Sequence, residues 1–113
     1  LNRDHGVGSC WMYGYFGPGT VHMKHRHDNC EEICYVLKGH GLAGVGADRG
    51  ELAPGDVHFI PAGCEHWLAN ISDSEDLVAP GWYIGVGALD ESGFAYNGPV
   101  TDEDINASRT GQL

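Results

Sequence analysis

Apolar residues occur in short stretches along this chain, and glycine or proline ends most of them. Alternating inward and outward side chains within such stretches is typical of β-strands, whereas no segment shows the period of a long helix. Strands of about five residues joined by tight turns favour a sandwich or barrel, so we predict an all-β fold. The predicted strands span residues 9–16, 21–27, 30–37, 42–47, 57–60, 66–71 and 77–87, the last of them interrupted at Pro80-Gly81.

Two histidines share one face of the second predicted strand. Period-two alternation puts Lys24 and Arg26 on one face, where their charges belong in water. Met23, His25 and His27 then point inward. A buried imidazole needs a polar partner, so two of them side by side require a chemical reason.

A carboxylate and a third imidazole can reach the same interior point. Alternation on the returning strand turns Glu32 inward and Glu31 outward, and His66 begins a later strand. Three imidazoles and one carboxylate suit a divalent transition metal, with Fe(II), Mn, Ni, Co, Cu and Zn all candidates. We therefore predict one metal ion per chain, bound by His25, His27, Glu32 and His66.

The spacing of these residues resembles that of the cupin superfamily. The first cupin motif is similar to the series Gly19, five residues, His25-x-His27, four residues, Glu32, six residues, Gly39. The second is similar to the series Gly55, five residues, Pro61-x-Gly63, two residues, His66, three residues, Asn70. The resemblance implies a double-stranded β-helix, or jelly-roll barrel, in a small single-domain protein with these four metal ligands.

Further site residues are predicted from alternation and from side-chain type. The expected pocket lining consists of Met23, Cys34, Val36 and Leu68, which alternation turns inward, and of the aromatic residue Trp82. Tyr15 and Tyr83 are the candidate catalytic residues, because a tyrosine hydroxyl beside a metal can act as a general acid or base. The remaining histidines His22, His40 and His58 fit neither motif, and we expect them at the surface or at strand edges.

Composition limits the possible partners. The formal net charge of -10 disfavours nucleic acid, because phosphate backbones attract basic surfaces. No apolar run has the roughly 20 residues of a membrane helix, so no membrane partner is expected. Four cysteines without a recognisable signal peptide indicate reduced thiols and a cytoplasmic location.

The length indicates one domain over residues 1–113, with a core over about 9–88 and a tail over 89–113. The tail is expected to be a short helix beginning after Thr101 or to be disordered, since acidic residues follow that threonine.

Several functions stay open at this point. The resemblance implies a metal-dependent enzyme acting on a small organic molecule, with dioxygenase-like oxidative cleavage first and lyase or isomerase chemistry close behind. A non-catalytic barrel that binds a metal or small ligand is the alternative, because fold alone does not determine activity. The resemblance also implies a homodimer that pairs through barrel edges.

Overall fold

The structure is a computed structural model that describes residues 1–111, so residues 112–113 of the predicted tail lie outside the described part. Nearly all regular structure within that part is β. The strands are β1 (Cys10–Met12), β2 (Tyr15–Phe16), β3 (Val21–His27), β4 (Glu31–Tyr35), β5 (Gly41–Val45), β6 (Asp48–Leu52), β7 (Val57–Ile60), β8 (His66–Ala69), β9 (Leu77–Val78), β10 (Gly81–Ile84) and β11 (Phe94–Gly98). Helix α1 spans Asp102–Ser108, and short 3₁₀-helices span Arg3–His5 and Leu89–Glu91.

Two antiparallel sheets form the body of the barrel. One has the strand order β1-β10-β4-β7, the other has the order β11-β3-β8-β5-β6, and β2 pairs with β9. Neighbouring strands are often far apart in sequence, as in a double-stranded β-helix. Val36, Leu52 and Leu77 belong to the fully buried cluster in the core. The predicted all-β jelly-roll is confirmed.

Glycines of the two motifs form the turns that bring the site together. Gly39, Gly55 and Gly63 have φ values of +83°, +93° and +75°, a region that side chains with a Cβ rarely adopt. The N–H of Gly63 donates a 2.9 Å hydrogen bond to the carbonyl oxygen of His27. This bond fixes the turn before β8 against the end of β3.

Strand β3 contains a β-bulge that changes which side chains point inward. His22 pairs with Leu68 and His25 pairs with His66, so three steps along β3 match two steps along β8. One extra residue in a strand reverses the alternation beyond it. His22 and His25 consequently share a face, with ring centroids 4.3 Å apart. Met23 is 40% exposed, and its predicted place in the pocket lining is wrong.

Residues 89–111 are part of the folded structure. Strand β11, which the sequence pattern did not predict, pairs with β3. Helix α1 begins after Thr101, as predicted, and the Thr101 side chain accepts a hydrogen bond from the Asp104 N–H. Asp104 in turn forms ion pairs with Lys24 at 2.7 Å and with Arg49 at 2.9 Å. These two contacts bind the helix to β3 and β6.

The outer faces of the two sheets differ. Helix α1 covers part of the five-stranded sheet, where Ile105 packs against the cluster that contains Trp67. The outer face of the four-stranded sheet carries an apolar row across all four strands, aligned by strand register, in which Trp11, Trp82 and Phe59 are exposed and Ile33 is half-buried. Within residues 1–111, no helix is long and apolar enough to cross a membrane.

Candidate metal centre

Three imidazoles converge inside the barrel. His25 and His27 come from β3 and His66 from the start of β8, and all three side chains are buried. One nitrogen of each ring lies within 4.8 Å of the corresponding nitrogen of the other two. The cluster could therefore hold a metal ion.

Hydrogen bonds at the opposite ring nitrogen set the orientation of each imidazole. The Nδ1 atom of His25 lies 2.6 Å from the carbonyl oxygen of Met23, and that of His66 lies 3.0 Å from the carbonyl oxygen of Cys64. In His27 the partner is the Oγ atom of Ser92, at 3.0 Å. If Nδ1 carries the proton and donates to these oxygens, Nε2 keeps its lone pair for a metal.

Glu32 completes the set of candidate ligands. Its Oε1 atom lies 3.7 Å from Nε2 of His27 and 3.6 Å from Nε2 of His66. Neither Oε1 of Glu32 nor Nε2 of His66 has a hydrogen-bond partner among the described residues, although both atoms are buried. Glu31 is exposed on the other side of β4. The carboxylate that faces the imidazoles is thus the one selected by strand alternation.

Burial favours neutral imidazoles in this cluster. Desolvation lowers the pKa of His25 from 6.5 to about 4, and it also lowers the pKa of His27. Both rings are therefore uncharged at neutral pH. Neutral imidazole is the form that binds a metal, so no proton has to be removed from these rings first.

The two candidate catalytic tyrosines occupy different environments. Tyr83 is 3% exposed, and its hydroxyl lies 3.2 Å from Nε2 of His27. Burial raises the pKa of Tyr83, so the phenol keeps its proton at neutral pH. Tyr15 is 62% exposed, and its hydroxyl contacts the carboxylate of Asp76. The structure brings Tyr83 to the histidine cluster and leaves Tyr15 at the surface.

A small cavity of about 60 Å³ lies beside the cluster. Cys34 and Leu68 line it, whereas the predicted lining residue Val36 is enclosed in the core. The predicted lining residue Trp82 does not line the cavity either, because alternation on β10 turns Tyr83 inward and leaves Trp82 39% exposed. Burial raises the pKa of Cys34 to about 12, so the cavity wall presents a thiol and not a thiolate.

Comparison with known families agrees with this geometry. The sequence model of the cupin domain matches residues 12–79, more than half of the chain. The chain belongs to the cupin family. Both sequence motifs lie within the barrel that this family shares, and the resemblance drawn from their spacing is confirmed.

One curated relative of this cupin has a named activity. The chain is similar to an oxalate decarboxylase of Arthroderma benhamiae, with 32% identity over 66 residues that cover 54% of the chain and 16% of that protein. The chain spans less than half the length of the curated relatives that it matches.

Two solved structures share the fold. A cupin-like protein of Thermotoga maritima superimposes with a TM-score of 0.72 and 26% identity, covering 96% of this chain and 80% of that one. Salicylate 1,2-dioxygenase of Pseudaminobacter salicylatoxidans superimposes with a TM-score of 0.68 and 22% identity, covering 83% of this chain and 27% of that one.

The residues of this cupin fit a divalent transition metal. Imidazole nitrogens and one carboxylate oxygen are a donor set that such ions accept. Oε1 of Glu32 and Nε2 of His66 are buried and lack a partner in residues 1–111. They are the atoms that an ion would satisfy, since an isolated buried polar atom is otherwise costly.

Three residues near the site were not expected from the sequence of this cupin. His22 and His58 both line the cavity. His22 is nevertheless exposed, as predicted, whereas His58 is half-buried and faces the cavity, contrary to its predicted place at the surface or at an edge. On β7, His58 and Ile60 are two residues apart and face the same, inner side. Alternation within residues 57–60 could therefore have predicted the position of His58. His22 could not be found in this way because the bulge reverses the phase. Ser92, the partner of His27, lies in the predicted tail.

Proposed function

We propose that this cupin is a metal-dependent enzyme that acts on a small organic molecule, with dioxygenase-like chemistry as the leading candidate. The observation that carries the proposal is the convergence of three imidazoles and the Glu32 carboxylate beside a cavity. His25, His27, Glu32 and His66 would hold one ion per chain, and Fe(II) fits dioxygenase chemistry best among the six candidate metals.

When bound, such an ion supplies Lewis acidity or redox chemistry. The protein positions the ligands through Met23, Cys64 and Ser92, whose oxygen atoms fix the imidazole rings. Apolar side chains such as Leu68 exclude bulk water from the cavity. Tyr83 is the proposed proton donor, because its protonated hydroxyl is buried within contact of His27.

Lyase or isomerase chemistry is the second candidate. The similarity to an oxalate decarboxylase favours it, and the same four ligands serve Lewis-acid reactions without dioxygen. A binding protein without catalysis is the third candidate, since a closed ligand set in a small barrel can also store or sense a metal.

Oxygen uptake separates these candidates. The Fe(II)-loaded protein is incubated with enediols, diketones and catechols, in air and under nitrogen, and both dioxygen consumption and product formation are measured. An oxygenase consumes dioxygen in proportion to product and is inactive under nitrogen. Equal turnover under nitrogen supports a lyase or isomerase and contradicts the leading candidate, as does the absence of turnover in both atmospheres.

Metal analysis tests the site independently of activity. Protein purified without chelator is expected to contain close to one transition metal ion per chain. His25→Ala and His66→Ala should each lower that content, whereas His40→Ala, at an exposed position, should not. Unchanged metal binding in the first two variants would contradict the ligand set.

The exposed apolar row supports a homodimer. Trp11, Trp82, Ile33 and Phe59 cross the whole outer face of the four-stranded sheet, and Glu31 is the one charged side chain on the outward-facing positions of these strands. A second copy suits this face because the net charge of -10 repels copies elsewhere on the surface. The proposed contact is therefore a sheet face, in place of the barrel edges expected from the sequence.

A cytoplasmic location is part of the proposal. All four cysteines are free thiols, which is the state that a reducing compartment maintains.

A further inference from the structure

The cavity beside the histidine cluster has a polar side chain that belongs neither to the candidate ligands nor to the hydrophobic core. His58 lies on β7, opposite Cys34 on β4, and its ring lines the cavity. Its Nδ1 atom is buried and has no hydrogen-bond partner among the described residues. Leaving a buried nitrogen unpaired costs about 1–3 kcal/mol, so a bound molecule that pairs with it would be favoured.

The charge of the cavity limits what that molecule can be. In residues 1–111, no lysine or arginine lines the cavity. Burial lowers the pKa of His58, so this ring is uncharged at neutral pH. A divalent ion held by neutral imidazoles and the Glu32 carboxylate leaves one net positive charge, which a single negative charge on the ligand would balance.

The size of the cavity limits it further. At about 60 Å³ it is far smaller than the 300–1,000 Å³ of pockets that hold drug-sized ligands. The occupant therefore has few heavy atoms. One oxygen group of this occupant would face the proposed metal site, and a second polar group is needed to reach His58.

From these observations we infer that His58 is a substrate-binding residue that selects a small hydroxy acid or oxo acid carrying one negative charge. The imidazole hydrogen-bonds the hydroxyl or oxo group, while the carboxylate lies toward His25, Glu32 and His66. This inference rests on the metal site proposed above and adds the class of ligand.

Ligand binding to the Co(II)-loaded protein tests the assignment. Glycolate, which has a carboxylate and a hydroxyl group, is compared with acetate, which lacks the hydroxyl group, by following the visible absorption of Co(II). His58→Leu should weaken glycolate binding about fivefold to tenfold, the value of one hydrogen bond, and change acetate binding by less than threefold. His58→Asn, which keeps a hydrogen-bonding group, should retain more of the glycolate affinity than His58→Leu.

Affinity for Co(II) is the separate readout that distinguishes the two proposals. If the unmodified protein does not bind Co(II), the metal site and with it the proposed function are contradicted. If Co(II) binds equally to the unmodified protein, His58→Leu and the surface control His40→Leu, only the role of His58 is in question.

That role is overturned by any of three results. The first is an unchanged glycolate affinity in His58→Leu, which would leave Nδ1 to pair with water alone. The second is a loss of glycolate affinity and acetate affinity by the same factor in that variant, which would mean that the hydroxyl group is not recognised. The third is a Co(II) spectrum of the unmodified protein that neither probe alters at high concentration, which would mean that the cavity admits no such ligand.

Discussion

The Oε1 atom of Glu32 lies 3.6 Å from the Nε2 atom of His66, and both atoms are buried without a hydrogen-bond partner among the described residues. A carboxylate and an imidazole nitrogen that face each other in this way are suited to share a cation. Their arrangement also offers a matched pair of variants, because Glu31 is next to Glu32 in sequence but exposed.

Replacing Glu32 should weaken metal binding, whereas replacing Glu31 should not. Glu32→Gln removes a negative ligand while keeping the size of the side chain, so we expect Co(II) affinity to fall about tenfold or more. Glu31→Gln removes the same charge from the surface and controls for net charge. Titration calorimetry measures both affinities, and equal values would contradict a role for Glu32 in binding the ion.

Replacing Tyr83 should reduce turnover without loss of metal. Tyr83→Phe removes the proposed proton donor, and we expect the rate with the substrate found in the oxygen-uptake panel to fall about a hundredfold. Tyr15→Phe is the control, because that hydroxyl is at the surface. Metal content and rate are measured on the same samples. Full activity in Tyr83→Phe would remove the tyrosine from the mechanism.

The carboxylate of Asp104 should stabilise the fold in a pH-dependent way. Burial raises its pKa, but hydrogen bonds from Lys24, Thr101 and Arg49 outweigh burial and hold the pKa well below the ordinary 3.8. A carboxyl group with a lowered pKa contributes stability above pH 3.8 that is lost as the pH falls through its folded pKa. Asp104→Asn should therefore lower the free energy of unfolding by about 2 kcal/mol at pH 6, and by less at pH 3.

Urea unfolding of both forms at several pH values measures this difference. Asp102→Asn, in the exposed first turn of α1, is the control for the loss of one negative charge. A difference between the unmodified protein and Asp104→Asn that does not shrink toward pH 3 would show that the ion pairs are not its source.

A charge on the exposed apolar row should dissociate the proposed dimer. Phe59→Glu places a carboxylate on the outer face of the edge strand β7, within a face that would be buried between two copies, where unpaired charge is costly. We expect the mass measured by light scattering to fall from two chains to one. Tyr96→Glu, on the exposed part of β11, should leave the mass unchanged. A monomeric unmodified protein at micromolar concentration would contradict the proposal.

The all-β class and the four candidate ligands could be predicted because they depend on local rules, whereas the jelly-roll topology followed from the resemblance of the two motifs to those of cupins. Glycines with positive φ, a histidine pair two residues apart and a fixed distance to Glu32 all follow from strand and turn geometry. Alternation on β4 also separates Glu32 from Glu31 without knowledge of the rest of the barrel.

The misplaced residues depend on features that local rules do not contain. Met23 was placed in the lining, and His22 was not, because the sequence does not reveal the bulge, which arises from the pairing of β3 with β8 between His22 and His25. Trp82 was assigned to the interior on the basis of hydrophobicity, although the face of a sheet that packs inward is decided by the partner layer. Ser92 was missed because its contact with His27 spans 65 residues.

The position of Ser92 bears on how this domain can be shortened. The match to the cupin domain ends at residue 79, yet Tyr83, the Ser92 hydroxyl and the strand carrying Phe94, whose ring stacks on His25, all follow that boundary. A truncated protein ending at residue 79 would keep all four candidate ligands while losing the groups that orient two of them. We therefore expect a protein truncated at residue 79 to bind metal weakly or not at all, although its sequence still contains all four candidate ligands.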